Sequence, residues 1–391
     1  MKRIWPFTFY FLYFAALSSL MPFFVLFYQG LEFSGAQIGL LTGIPPLVTL
    51  IASPFWTGMA DSKGWHKWIM GLGIVVTVIV IFLLQSFTSF VIVFTLIILF
   101  NTFISPVPSL TDSATMNMLG TERAMYGRIR LGGTIGWGVF APIAGFLVQR
   151  YGLSASFWSF SVLMLVNLFI SQRFVHRSHE QTESSQGGIR TLLTSRRWIN
   201  FLFLAFLGGI GSFSVASYLF PYMAELGADE SIMGIASAAP IATEILIFFF
   251  GNRLVKKFGS YGLLLLALVM FGVRSLLYGL VSTPAMVLVV QVFGGMIFPM
   301  MWVAGVSYAD EHSPLRLKSS AQGLFGAMMF GVGSAVSGFL GGLLLESIGG
   351  RGMFMVLGII ILAGLALAET VRRLFPEKEP IPQVAAASND K

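Results

Sequence analysis

The 391-residue chain contains no cysteine and very little charge. Without cysteine there is no disulfide framework and no thiolate to act as nucleophile or metal ligand. Asp, Glu, Lys and Arg together make up 10% of the residues, against roughly 25% in soluble domains. So few charges cannot build a water-facing surface for a chain of this length. Histidine is scarce as well. His66, His176, His179 and His312 all fall in connections between apolar runs, and two of them in one polar stretch do not make a metal site. No P-loop or dinucleotide-type glycine pattern occurs, since Gly323–Gly342 lies inside an apolar run. The expectation is therefore no enzyme activity, no cofactor and no metal.

What the chain has in abundance is apolar sequence, with 56% hydrophobic residues and a mean hydropathy of +0.82. It comes in blocks of about twenty residues, the length a helix needs to cross a bilayer. Lipid offers the backbone no hydrogen-bond partners, so a spanning segment is a helix or part of a closed barrel. Barrel strands alternate apolar with polar, whereas runs such as Leu72–Leu84 and Leu263–Leu280 are unbroken. The fold class expected is an all-α membrane protein whose solvent is the lipid bilayer. The run Phe7–Tyr28 follows Met1–Arg3 without a small-residue cleavage site and is expected to be a retained helix. The net charge of +7 sits in short loops where it sets topology, so no nucleic acid is expected as partner.

Apolar runs between breaker and charge clusters predict twelve spans, at 7–29, 35–60, 67–85, 89–116, 131–149, 154–174, 199–223, 230–253, 261–281, 284–308, 320–346 and 351–373. With the N-terminus in the cytoplasm, 21 of the 24 Lys and Arg residues fall on the cytoplasmic side, leaving Arg150 and Arg351 outside and Arg274 within a span. That bias puts both termini in the cytoplasm, as for a protein of the plasma (bacterial inner) membrane. The longest polar stretch divides the chain near its middle. It gives a first six-helix half at 1–174, a linker at 175–198, a second half at 199–373 and a flexible tail at 374–391.

The two halves repeat. A shift of 195 residues lays Gly39, Pro45 and Gly64 on Gly234, Pro240 and Gly259. A shift of 193 lays Gly133, Gly138 and Gly145 on Gly326, Gly331 and Gly338. Small residues let membrane helices approach closely, but close packing does not explain a shared register. Duplicated halves about an axis along the membrane normal belong to transporters that bind solute between them.

Ionisable groups inside a span cost about 2.5–3.5 kcal/mol each on insertion scales and line a path or pair with one another. Glu244 lies deep in the eighth span, where the repeat has Thr49, and Arg274 lies deep in the ninth. They are equidistant from the turn at Gly259, so they sit level and can pair. Asp112 and Arg130 are likewise equidistant from Thr121, in the loop joining the fourth and fifth spans. A pair made and broken during rocking is a proton switch, with Glu244 or Asp112 as the carrier.

These residues resemble a known group. Gly58, Asp61, Lys63, Gly64 and Lys67, after the second span, resemble the loop signature of the major facilitator superfamily, in which an acid and basic residues clamp neighbouring helices. Three further patches resemble the lactose permease, nucleoside:proton symporter and phenylpropionate permease branch. They are Tyr126–Trp137 in the fifth span, Phe9–Phe11 with Pro22–Phe24 in the first, and Ser319–Leu324 in the eleventh. The resemblance implies a major facilitator fold and roles for individual residues. Arg130 would hold solute hydroxyls bidentately, Trp137 would stack on a sugar face, and Asp112 would accept from hydroxyls or hold Arg130. Glu244 and Arg274 match that permease's eighth-span carboxylate and ninth-span arginine. The tenth span, Gln291–Trp302, has no ionisable group where that permease has two. Gln291 and Trp302 are its candidate solute contacts, and proton coupling falls to Glu244 or Asp112.

The function this implies is secondary transport of a small polar or amphipathic solute (sugar, nucleoside or aromatic acid) by proton symport through alternating access. The partners are that solute, protons and lipid, and the transporting unit is a monomer. The alternatives are efflux by antiport, hinted at by Gly138–Gly145 in the fifth span, uniport or lipid-like substrates, and a non-transporting membrane sensor.

Overall fold

The computed structural model describes residues 4–122, 125–174, 189–314 and 317–375. His176 and His179, residues 175–188 of the linker and residues 376–391 of the tail lie outside them. Among the described residues there is no strand and no group of three or more potential metal ligands.

The first six helices are α1 (Ile4–Gly30), α2 (Gly35–Lys63), α3 (His66–Leu84), α4 (Phe90–Leu119), α5 (Tyr126–Tyr151) and α6 (Ser154–Ser171). A short helix, Ile189–Thr194, leads into the second half. That half holds α7 (Arg196–Glu225), α8 (Glu230–Ala238 and Ile241–Phe258), α9 (Ser260–Leu280) and α10 (Pro284–Glu311). The last helical stretch, Lys318–Leu374, is divided at Gly349, whose φ of 72° and ψ of 172° no helix contains. Its pieces, 318–348 and 350–374, are α11 and α12, and the count of twelve holds. The fifth span begins at Tyr126, several residues earlier than predicted, because its polar start (Gly127, Arg128, Arg130) conceals helical sequence from a hydropathy reading.

Several helices are interrupted part-way. α1 tightens to a 3-10 turn over Met21–Phe23, which contains Pro22. α4 restarts at Pro106, α8 at Ile241 after Pro240, and α10 at Ile297 after Gly295 and Met296. In α11, Ala327–Gly333 forms a π-helical turn. Proline removes a backbone donor. Inside a membrane the freed carbonyls must find protein partners, so such breaks belong where the backbone is buried or lines a cavity.

The halves meet through two related contacts. On one side α2 crosses α11, where a Cβ at Gly39 would lie 2.8 Å from the Phe339 carbonyl oxygen. On the other α5 crosses α8, where a Cβ at Gly145 would lie 3.1 Å from the Gly234 Cα. The 195-residue shift relates Gly39 to Gly234, so each contact is the other's duplicate. Backbone approaches backbone because neither surface carries a side chain. Cross-half hydrogen bonds reinforce the same region. Thr42 Oγ1 donates to the Gly338 carbonyl at 3.0 Å and lies 2.8 Å from the Tyr218 hydroxyl, which also donates to Gly338. Ser231 donates to Gln149. All of these lie toward the end of the bundle remote from the chain termini, called distal here. The opposite end, where α1 begins and α12 ends, is the proximal end. The bundle is therefore shut distally.

Candidate functional site

The interrupted helices deliver polar groups to the interior of the bundle. In the first half, the Pro106 restart of α4 carries Thr111 and Asp112 to a cavity that they line with Tyr10, Tyr13, Phe14 and Arg130. The Tyr10 hydroxyl donates to the Asp112 carboxylate, and Tyr126 faces the same carboxylate. Arg130 lies in the first turns of α5. Its guanidinium sits 4.5 Å from the Phe14 ring centre and 5.2 Å from that of Tyr10, a cation–π arrangement that holds the charge without neutralising it. A Cβ at Gly133 would lie 2.9 Å from Arg130 Nη1, so the glycine one turn on makes room for the guanidinium.

The second half offers a different cluster. Arg274 and Tyr278 lie one turn apart on α9 and are 7% and 0% exposed. Arg274 Nε donates to the Tyr278 hydroxyl at 3.2 Å, and Nη2 donates to Gln291 Oε1 on α10. The Tyr278 hydroxyl donates to the same oxygen at 2.9 Å. Gln291, 3% exposed, donates from Nε2 to the Ala236 carbonyl of α8 at 3.0 Å. The arginine is thus held entirely by neutral oxygens.

Glu244 occupies the first turn of the second piece of α8, where the helix dipole favours a carboxylate. Its helix piece packs against α5 of the other half, where a Cβ at Gly138 would lie 2.7 Å from Ile241 Cδ1. Neither expected pair forms. Among the described residues no ion pair within 4.0 Å joins Glu244 to Arg274 or Asp112 to Arg130. Equal distance from the turn did not bring the partners together. Arg274 turns toward α10, and Asp112 is taken by the Tyr10 phenol.

Trp137 donates from Nε1 to Ser237 Oγ on α8 at 3.1 Å, so in this state it joins the halves. Trp302 lies beside Phe325 and Phe330, each 5.6 Å between ring centres, and keeps part of its surface open. At the proximal end of the α2–α3 hairpin, Gly64 closes α2 with φ 69°. His66 Nε2 lies 2.8 Å from Asp61 Oδ1, Lys63 lies over the Trp65 ring at 4.6 Å, and Lys67 donates to the Gln172 carbonyl at 3.2 Å. The loop residues therefore tie α2, α3 and the end of α6 together, away from the cavity. The sequence reading missed Thr243 and Tyr278. Tyr278 had a signal, since it follows Arg274 by four residues on one helix face; Thr243 had none.

Comparison with known proteins agrees with this architecture. The profile of the MFS_1 like family matches residues 5–356. A maltose permease of Geobacillus stearothermophilus is 27% identical over 379 residues, spanning 94% of this chain and 95% of that one. The multidrug resistance protein MdtG of Salmonella typhimurium is 26% identical over 287 residues, spanning 69% and 70%. Among solved structures, a mutant of the nucleoside transporter NupG superposes with a TM-score of 0.83 at 17% identity, covering 96% of this chain and 100% of that one. A bacterial homologue of the human lysosomal transporter Spinster, inward-facing and unoccupied, gives 0.73 at 14% identity, covering 96% and 97%.

Proposed function

Because the chain belongs to the MFS_1 like family of membrane transporters, we propose that it moves a small, neutral, polyhydroxylated solute with a proton. The carrying observation is the first-half cavity in which Arg130 and Asp112 stand side by side with Tyr10 and Tyr13. A donor fork beside a carboxylate suits hydroxyls, which both accept and donate. That favours a glycoside or nucleoside over an aromatic acid, whose carboxylate would lie against the Asp112 carboxylate. Arg130 is the fork that takes vicinal hydroxyls bidentately. Asp112 is the acceptor beside it, and Glu244 is the proton carrier. The 27% identity to a maltose permease supports a sugar as the first compound to try.

In the cycle, solute and proton enter the cavity, and Glu244 becomes neutral when protonated. Solute hydroxyls then bridge Arg130 and Asp112, and the halves rock so that the distal contacts part and the proximal ends close. The Lys and Arg distribution puts the termini in the cytoplasm of a bacterial inner membrane, which makes the distally shut state inward-facing. The halves at 1–174 and 199–373 are the rocking bodies of a single chain, with 175–198 as linker and 374–391 as tail. Asp61, Lys63, Gly64 and Lys67 clamp the proximal hairpin. Trp302, half-buried, completes the second half's wall.

The test is proton movement in right-side-out vesicles containing the protein, with maltose, uridine and a phenylpropionate as probes. External alkalinisation with maltose or uridine, lost in Glu244→Gln, is the expected result. Alkalinisation with the aromatic acid alone overturns the neutral-solute reading, and silence with all three overturns symport. One observation favours a second reading, efflux of amphipathic compounds: the half-buried Trp302 and the exposed Phe330 lie together, 5.6 Å between ring centres, and MdtG is a relative. Under that reading, dyes rather than sugars move protons, in the opposite direction.

A further inference from the structure

The breaks in α8 and α10 lie side by side and exchange hydrogen bonds. In α8, the Ala236 carbonyl has lost its regular donor because the residue four positions on is Pro240, which has no N–H. The Gln291 amide of α10 supplies that donor at 3.0 Å. In α10, the Met296 N–H turns to the Phe293 carbonyl, so the Val292 carbonyl keeps only a 3.3 Å share of the Gly295 N–H, which lies closer to the Gln291 carbonyl at 3.1 Å. The Thr243 hydroxyl of α8 donates to it at 2.7 Å. Each helix thus repairs the other's break with a side chain. Gly295 permits the approach, since a Cβ there would collide with the Pro240 carbonyl and Thr243 Oγ1.

Two groups of the transport site are attached to this exchange. Glu244 follows Thr243 directly, and its N–H bonds to the Pro240 carbonyl at 3.0 Å. Gln291, which reaches Ala236, also accepts from Arg274 through its amide oxygen. We propose that Thr243 and Gln291 form a reciprocal splint across the two broken helices. The splint sets Glu244 at the cavity wall and links its position to Arg274, so that the level but unpaired charges communicate mechanically. Both are positioning residues, and the part they play rests on Glu244 being the proton carrier. The hydrogen-bonding roles are separable by chemistry. Thr243→Ser keeps the hydroxyl and Thr243→Val keeps only the shape. Gln291→Glu keeps the acceptor for Arg274 but loses the donor to Ala236.

The cysteine-free chain allows a direct experiment, with Arg128→Cys on α5 and Lys256→Cys on α8 as the only thiols. Spin labels at these exposed proximal positions report the separation of the two helix ends in the full-length reconstituted protein. In the same vesicles, maltose and uridine are followed both as pH-driven accumulation and as exchange without a gradient. Thr243→Val is expected to broaden the distance distribution and to cut accumulation by up to about tenfold, as loss of one hydrogen bond implies. Exchange should fall less than about twofold if solute binding itself is intact. Thr243→Ser is expected to restore both readouts, and Gln291→Glu to broaden the distribution as Thr243→Val does. Equal effects of Val and Ser, or an unchanged distribution in Thr243→Val, overturn the splint. If Glu244→Gln leaves accumulation intact, the proton-carrier reading falls, while the Val–Ser contrast in distance still judges the splint by itself.

Discussion

Arg130 and Glu244 stand on different halves of the bundle, on α5 and α8, which pack so closely that a Cβ at Gly138 would lie 2.7 Å from Ile241 Cδ1. Neither forms an ion pair within 4.0 Å among the described residues. A solute between them therefore meets a donor fork and a carboxylate that are both available, and rocking changes their separation directly.

Replacing Arg130 by lysine preserves the charge and removes the planar fork. Transport by Arg130→Lys is expected to fall at least about tenfold in kcat/KM, because a point charge cannot bind two hydroxyls at once. Uptake kinetics in vesicles check this, and an activity within about twofold of wild type contradicts bidentate binding.

Tyr10→Phe removes the phenol that donates to Asp112. The carboxylate loses a charge-assisted hydrogen bond worth about 1.5–3 kcal/mol. Solute affinity is expected to weaken, read as a raised KM, and the melting temperature in detergent is expected to fall with the lost bond.

Gly39→Leu forces a side chain against the Phe339 carbonyl oxygen. Overpacking of about 1–3 kcal/mol acts only when the distal end is shut, so the population moves toward the distally open state. Spin labels at Glu32→Cys and Ser282→Cys, in the distal loops of the two halves, are expected to move apart.

Glu225 caps α12, accepting from the Gly350 N–H at 2.8 and 3.1 Å beside the break at Gly349. Glu225→Ala is expected to cost about 0.5–2 kcal/mol, as for lost helix caps. The melting temperature should fall, with KM unchanged because the cap is remote from Arg130 and Glu244.

The span count, the duplication and the identity of the charged residues were legible because each is written in linear spacing. Hydropathy marks every helix, and glycine register marks Gly39 with Gly234. Facing was not legible. Equal distance from Gly259 placed Glu244 and Arg274 at one depth, yet rotation about each helix axis decides which neighbour a side chain meets, and Pro240 resets that rotation in α8. Gln291 shows the second limit. Its residue type suggested a solute contact, whereas its amide is engaged by Arg274, Tyr278 and Ala236. A carbonyl orphaned by a proline two helices earlier leaves no mark at position 291.

The glycine-lined crossings of α2 with α11 and α5 with α8 make the joint between the halves a bearing rather than a gear. Interlocked side chains would have to be lifted from their sockets before one half could turn. Carbonyl oxygens passing over bare Cα atoms slide with little resistance, and contact is surrendered gradually along the rotation. The hydrogen bonds that cross the joint, from Thr42 to Gly338, Ser231 to Gln149 and Trp137 to Ser237, then act as catches on an otherwise smooth pivot. The pace of turning is governed by those catches and by the cargo, not by friction in the joint.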